Sequence, residues 1–265
     1  MAPMLDARLV ELLAEGADRV VFGLLTDEEA HTVDHGLPLD FVVSPFLDAH
    51  PGVDPGFVRE VGGRSLLARG LVNPREGADG QVESELTPEL EILVRSRREG
   101  VGLLRAREPE PPYGAARTFV LRAAHGGFEE DVNTLGLHYV SACTYATGAR
   151  RLAEWCVDGS ATTVARGARD RVAPDRWAAW VHDELGPSAR TTCIDVLAPP
   201  EPGLPPSHEV VLVAQAGALA VAARDADGSA LHVAQVDQAA LGSLLLERVG
   251  AALGPAVVTP AAPSL

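Results

Sequence analysis

Two stretches of the chain, 91 positions apart, align without a gap, and this repeat constrains the fold more than any other feature. Residues 107–126 (REPEPPYGAARTFVLRAAHG) lie on residues 198–217 (APPEPGLPPSHEVVLVAQAG) with seven identities in 20 positions. The identities are Pro109/Pro200, Glu110/Glu201, Pro111/Pro202, Val120/Val211, Leu121/Leu212, Ala123/Ala214 and Gly126/Gly217. Further on, Leu137-His138 matches Leu231-His232. A helix opening with Thr87-Pro88-Glu89 precedes the first copy, and one opening with Ala173-Pro174-Asp175 precedes the second. Strands at 137–143 and 231–236, then helices at about 147–157 and 238–253, follow. Each unit therefore reads helix–strand–strand–strand–helix. Such a unit cannot cover both faces and both edges of its own sheet, whereas two units can pair their sheets and share a core. The expected fold is α+β, with two related halves in a quasi-two-fold arrangement and mixed or antiparallel sheets. It predicts the same strand order in 87–157 and 173–253.

The flanking sequence completes the organisation. Residues 1–62 form an acidic N-terminal segment expected to pack on the main domain. Residues 63–159 and 160–253 are the two repeat units, and 254–265 are expected to be a flexible tail. Within the first segment, Leu5, Leu9, Leu12 and Leu13 share a helical face, and residues 19–25 (RVVFGLL) read as a strand. Thr26-Asp27-Glu28-Glu29 has the pattern of a capping box, a hydroxyl followed three residues later by a carboxylate. That helix is expected to stop at Gly36, and a second to run from about Gly56 to Arg69 and end at Gly70. Residues 73–80 (NPREGADG) are rich in turn formers. A third helix starts at Thr87-Pro88 and ends in Arg95, Arg97 and Arg98, cations that complement a helix C-terminus. The apolar run from Val210 to Ala223 is too short for a bilayer, which needs roughly 20 residues. Gly217 divides it into two buried strands.

Charge and cysteine content exclude several functions. The chain has 265 residues, 37 acidic against 22 basic, and a formal net charge of −15. Such a surface repels phosphate backbones. The imbalance is uneven: residues 1–62 hold 12 acidic and 3 basic residues. Cys143, Cys156 and Cys193 are odd in number and form no C-x-x-C pair, which points to reduced, buried thiols in a cytosol. The N-terminus carries Asp6, Arg8, Glu11 and Glu15 within its apolar stretch and so lacks a signal-peptide core, and a cytoplasmic location without membrane partners is expected.

No convergent catalytic set stands out. There is no G-x-S-x-G, no P-loop and no G-x-G-x-x-G after a strand, so neither catalytic residues nor a cofactor are expected. His31 and His35 share a helical face and, with Asp34, Asp40 and His50 nearby, offer one candidate metal site for a hydrolase. The motif lacks the glutamate of H-E-x-x-H. His138 and His232 occupy matching places in the repeat. Arg95, Arg97, Arg98, Arg105 and Arg107 form a basic cluster beside a helix–strand–turn–strand–helix order that could mimic a winged helix, an alternative DNA-binding reading. Glu129-Glu130-Asp131 reads as an acidic tip in a loop spanning 125–136. Phe128 beside it is a candidate aromatic anchor with a charged rim for a protein partner, the competing reading being a hairpin whose Phe folds back on the core.

The segment 64–72 (RSLLARGLV) resembles the L-x-x-R-G-L helix end of EspG-like proteins. Asp79-Gly80 through Leu86 and Leu90 resembles the segment that follows in that family, and residues 232–253 (HVAQVDQAALGSLLLERVGAAL) its last strand and helix. The resemblance covers about 56–253. It implies a quasi-two-fold repeat of sheet and helices, which the internal alignment indicates independently. It also implies a non-enzymatic cytosolic chaperone of actinobacterial type VII secretion that binds a helical substrate heterodimer and covers its aggregation-prone tip. No partner-contact residue carries over from the family.

Overall fold

The computed structural model describes residue 13 and residues 18–34, 43–76, 82–98, 100, 102–108, 115–121, 126–157, 169–198, 207–225 and 227–253. The chain opens with strand β1 (Arg19–Thr26) and short helices α1 (Asp27–Val33) and α2 (Pro45–Asp48), followed by α3 (Pro55–Ala68). A hairpin of β2 (Val72–Glu76) and β3 (Val82–Leu86) leads to α4 (Pro88–Arg98). Strands β4 (Gly102–Arg107), β5 (Ala116–Leu121), β6 (Gly127–Val132) and β7 (Leu137–Cys143) precede α5 (Tyr145–Cys156). The second half runs β8 (Arg169–Val172), a 3-10 turn, α6 (Trp177–Leu185), β9 (Arg190–Ala198), β10 (Ser207–Ala216), β11 (Ala218–Arg224), β12 (Leu231–Val236) and α7 (Gln238–Leu253).

Ten strands form one antiparallel sheet in the order β1-β7-β6-β5-β4-β9-β10-β11-β12-β8. Both halves therefore run in the same order outward from the β4·β9 pair. Each contributes four consecutive strands, not the three expected: β4 and β9, which join the halves, are additional. Each half is also closed by a strand that precedes its first helix, β1 in one and β8 in the other. Between β1 and α4 the first half inserts α1, α2, α3 and the β2–β3 hairpin, where the second half has only the short 3-10 turn (Pro174–Arg176) between β8 and α6.

Strand register bears on the alignment. Adding 91 to both members of Leu104↔Phe119 gives Asp195↔Val210, an observed pair. The correspondence slips at the next pairing. Val120↔Phe128 would map onto Val211 and Leu219, but Val211 pairs with Ala223, four residues further. Gly217 (φ 61°) is the apex of the β10–β11 turn, a left-handed position that suits glycine, whereas Gly126 lies just before β6.

Side-chain alternation divides the sheet into two packed faces. On one, α5 and α7 cover Leu104, Phe119, Ile194, Val211 and Leu219 with Leu152, Leu241 and Leu245 in a single core shared by both halves. Gly148 lets α5 approach, since a Cβ there would sit 2.5 Å from the Phe119 ring. The other face carries two separate cores. In the first half Leu25, Phe128, Val140 and Ala142 pack against α3 and α4 through Leu66, Leu90 and Leu93. In the second, Ala214, Ala220, Ala222 and Val233 pack against α6 through Trp177 and Val181.

The local signals largely place these elements. Thr26 caps α1: its side chain accepts from the Glu29 N–H, and the Glu29 carboxylate accepts from the Thr26 N–H at 3.0 Å. Asp54 caps α3 by accepting from the Phe57 N–H at 2.9 Å, and Gly70 (φ 66°) follows its end. Gly62 allows α3 to cross α1 closely, because a Cβ there would lie 2.2 Å from the Glu28 carbonyl oxygen. The expected helix over Leu5–Leu13 and the expected stop at Gly36 lie outside the described residues, apart from Leu13, which packs against the first-half core. Among the described residues no helix is long and apolar enough to cross a membrane.

Candidate functional site

The acidic run expected at a loop tip lies inside β6, and this corrects its reading as an exposed rim. Phe128 is 2% exposed and packs tilted against Phe22, with ring centroids 5.5 Å apart. Glu129 and Glu130 are buried as well, while Asp131 is half-buried. The alternation of the strand sends Glu129 and Glu130 to opposite faces, and each meets its own set of cations. Glu129 accepts from Arg151 Nε at 2.6 Å and from the Ser141 hydroxyl, with Arg19 and Arg117 within 3.5 Å. Arg117 also donates to Asp131 at 2.5 Å. These residues hold α5 and β1 to the sheet.

Glu130 belongs to a larger network on the other face. Arg97 from α4 donates to it at 2.5 Å and also to Asp34, the residue that ends α1. His138 on β7 lies between two carboxylates, with Nδ1 2.5 Å from Glu130 and Nε2 2.6 Å from Asp27. The other Asp27 oxygen accepts from the Phe46 and Leu47 N–H groups at the start of α2. Five buried ionisable groups thus connect α1, α2, α4, β6 and β7. Burial alone would lower the His138 imidazole, but its hydrogen bonds to Asp27 and Glu130 push it up to about 9, so it is a cation at neutral pH. Burial would raise Glu130, yet Arg97 and His138 bring it to about 2. The network then holds three carboxylates and two cations. Its excess falls on Asp34, raised to about 6 chiefly by desolvation against the pull of Arg97. Asp34 Oδ1 has no hydrogen-bond partner among the described residues.

The other candidates separate. The basic cluster is not one surface. Arg95 pairs with Glu91, Arg97 is buried in the network, and Arg105 and Arg107 both bond Asp195 across the β4·β9 junction. His208 contributes a further contact to Asp195 at 3.2 Å, and these partners hold its carboxyl below the usual range against the opposing effect of burial. The helix–hairpin–helix order over 55–98 is present, and Arg98 is exposed at the end of α4, but Arg97 is buried in the network and Arg105 and Arg107 are turned to Asp195, so the five arginines do not share one surface. His138 and His232 are not equivalent in their surroundings: His138 is fully buried beside α1 and α4, whereas His232 is exposed and lies on the opposite face of the sheet. Of the metal candidates, His35 and Asp40 lie outside the described residues. Among the described residues, no three His, Cys, Asp or Glu side chains are arranged to hold a metal ion. The three cysteines are free and buried, and burial pushes Cys143 and Cys156 up to about 12, which leaves them protonated and unreactive.

Sequence reasoning therefore overlooked the network of Asp27, Asp34, Arg97, Glu130 and His138, and the separate pairing of Asp195 with Arg105 and Arg107. One signal was readable, namely single charges at every second position between apolar residues, as in Leu104-Arg105-Ala106-Arg107 and Ile194-Asp195-Val196. Beside the exposed charges, the surface carries several large apolar side chains. Val21, Leu24 and Tyr139 are exposed along β1 and β7, and Phe46, Val53, Phe57 and Val61 around α2 and α3.

No protein-family profile matches the sequence, and no curated protein matches it. A solved structure does match in fold. It is described as the structure of the Mycobacterium tuberculosis type VII secretion system chaperone EspG5 in complex with a PE25-PPE41 dimer. The TM-score is 0.50 at 10% sequence identity, over 87% of this chain and 95% of that one. The ten-stranded antiparallel sheet with helices on both faces is therefore an α+β fold similar to that of the EspG chaperone.

Proposed function

We propose that this protein acts by binding another protein, as a cytoplasmic chaperone-like factor that shields a helical client of a type VII secretion system, and that it is not an enzyme. The observation that carries the reading is the fold likeness over nearly the full length of both chains. The site chemistry agrees with it. The buried acids and bases are paired with one another across the sheet, which suits a rigid frame, and among the exposed side chains are large apolar ones such as Val21, Phe57 and Val61. Phe128, Glu129 and Glu130 serve that frame, and the client contacts lie elsewhere. Co-expression with any helical protein pair encoded in the neighbourhood of this chain's gene, followed by size exclusion, tests the reading. A stoichiometric complex is expected, with the client soluble only in the presence of this chain. Separate elution with a client that is equally soluble alone would end it.

A further inference from the structure

The apolar side chains around α2 and α3 form a face with a cavity at one end. Phe57 and Val61 stand one helical turn apart on α3 and are 60% and 38% exposed. They face away from Val58, Gly62 and Leu66, the buried side of the same helix. Phe46 and Val53 extend the apolar surface and are 38% and 40% exposed. Beside them a cavity of about 260 Å³ opens between α1, α2 and α3, with His31, Leu47, Asp48, His50, Val53 and Val58 in its wall. Among the described residues, Asp48 is the one carboxylate in its wall, and no arginine lines it. Partial burial and the nearby Asp27 push the Asp48 carboxyl up, and a cation placed beside it would offset both effects. In the surrounding segment Asp27, Glu29 and Asp34 are buried and paired, while Asp48, Asp54 and Glu60 are exposed, with Arg59 the one exposed arginine among the described residues of 27–63. At the other end of the stripe, on the same side of α3 as Phe57 and Val61, lies exposed Arg64.

We propose that this face binds an amphipathic helix of a partner protein, which places a basic side chain in the cavity beside Asp48 and lays an apolar stripe along Phe57 and Val61. An arginine or lysine fits both features of the cavity, since its methylene stem contacts Leu47, Val53 and Val58 while its charge meets Asp48. Exposed aromatic and aliphatic groups beside a concave pocket are the composition of an interface centre. Arg64 fixes the direction, because it favours an acidic residue on the partner helix at the end away from the cavity. The proposal rests on the reading of this protein as a protein-binding factor and names the surface used.

The test uses the full chain and two synthetic amphipathic peptides of about 20 residues, long enough to form a helix. One carries leucine on one face and arginine on the other, and its counterpart has glutamate in place of arginine. Calorimetry is expected to detect binding of the arginine peptide only. A Phe57→Ser/Val61→Ser variant, which leaves the charge unchanged, should weaken that binding by about tenfold or more, and Asp48→Asn by about threefold to tenfold. Hydrogen exchange should show protection in 44–67. Both variants change exposed groups, and an unchanged melting temperature confirms that they fold. Binding of the arginine peptide that ignores Phe57 and Val61 would be attraction to the net charge alone, and would overturn the proposal, as would protection confined to other elements. If the neighbour-encoded pair still co-elutes with the Phe57→Ser/Val61→Ser variant, this surface is wrong and the chaperone reading stands. If the peptide results hold while no such pair co-elutes with the wild type, the chaperone reading fails and the surface stands.

Discussion

The two halves of the sheet share a strand order and differ in what fills them. In the first half, β6 and β7 (GFEEDV and LHYVSAC) bury Glu129, Glu130, His138 and Ser141. In the second, β11 and β12 (ALAVAAR and LHVAQV) bury Leu219, Ala220, Val221, Ala222, Leu231 and Val233. Small alanines there let α6 bring Trp177 onto the sheet, with Trp180 stacked on it at a centroid distance of 5.5 Å. One architecture is thus supported by ion pairs on one side and by apolar packing on the other. Strand order depends on the in–out alternation, and the chemistry of the inward residue is free to vary if its partners vary with it.

The largest effect is expected from breaking the charged half. Arg97→Met removes a cation shared by Asp34 and Glu130 and should cost about 3–5 kcal/mol, as unpaired buried charges do. Leu231→Ala in the apolar half should cost about 2–4 kcal/mol by cavity formation. Urea unfolding at pH 5 and pH 8 separates the two, since the first loss should change with pH and the second should not. Equal pH dependence would erase the contrast between the halves.

A smaller effect concerns pH in the unaltered protein. His138 is raised from 6.5 to about 9, so its contribution is complete below about pH 6.5 and is lost as pH rises through 9. Asp34 is raised from 3.8 to about 6, so its contribution is present below about pH 4 and has gone above 6. Glu130 has the opposite sign: its contribution is complete above 4.5 and is lost as pH falls through about 2. Stability should therefore decline from pH 5 to pH 10, by on the order of 3 kcal/mol from His138 alone. His138→Gln should remove the step near pH 9, and a step that persists in this variant would assign it to another group. The smallest effect is expected at the surface of the second half. The Arg171–Asp225 pair has an arginine side chain 65% exposed, and Arg171→Ala should change stability by less than about 0.5 kcal/mol.

How much of this was legible follows from the range of the interactions. Caps, helix ends and the Gly217 turn are local, and Thr26, Gly70 and Gly217 stand where the sequence pattern puts them. The two central strands were not recognised. In β4, Arg105 and Arg107 read as part of a cationic cluster because their partner, Asp195, lies some 90 residues away. Glu129 and Glu130 read as a solvated tip for the same reason, since the cations that make their burial tolerable come from β1, α4, β5, β7 and α5. The surface around Phe57 also escaped notice. Phe57 and Val61 have the spacing of a core stripe, and only the position of α1 on the opposite side of α3 shows that they face water.

The placement of β1 has a consequence for how the chain is made. Arg19–Thr26 is synthesised more than 100 residues before its pairing partner, Leu137–Cys143. At roughly 5–20 residues per second, on the order of 6–25 s pass before the two can meet. During that interval a strand containing Val20, Val21, Phe22, Leu24 and Leu25 is unpaired. The acidic residues on both sides of it in sequence, Glu11, Glu15 and Asp18 before and Asp27, Glu28 and Glu29 after, act on the nascent chain as well as on the finished protein. They make this segment soluble while it waits.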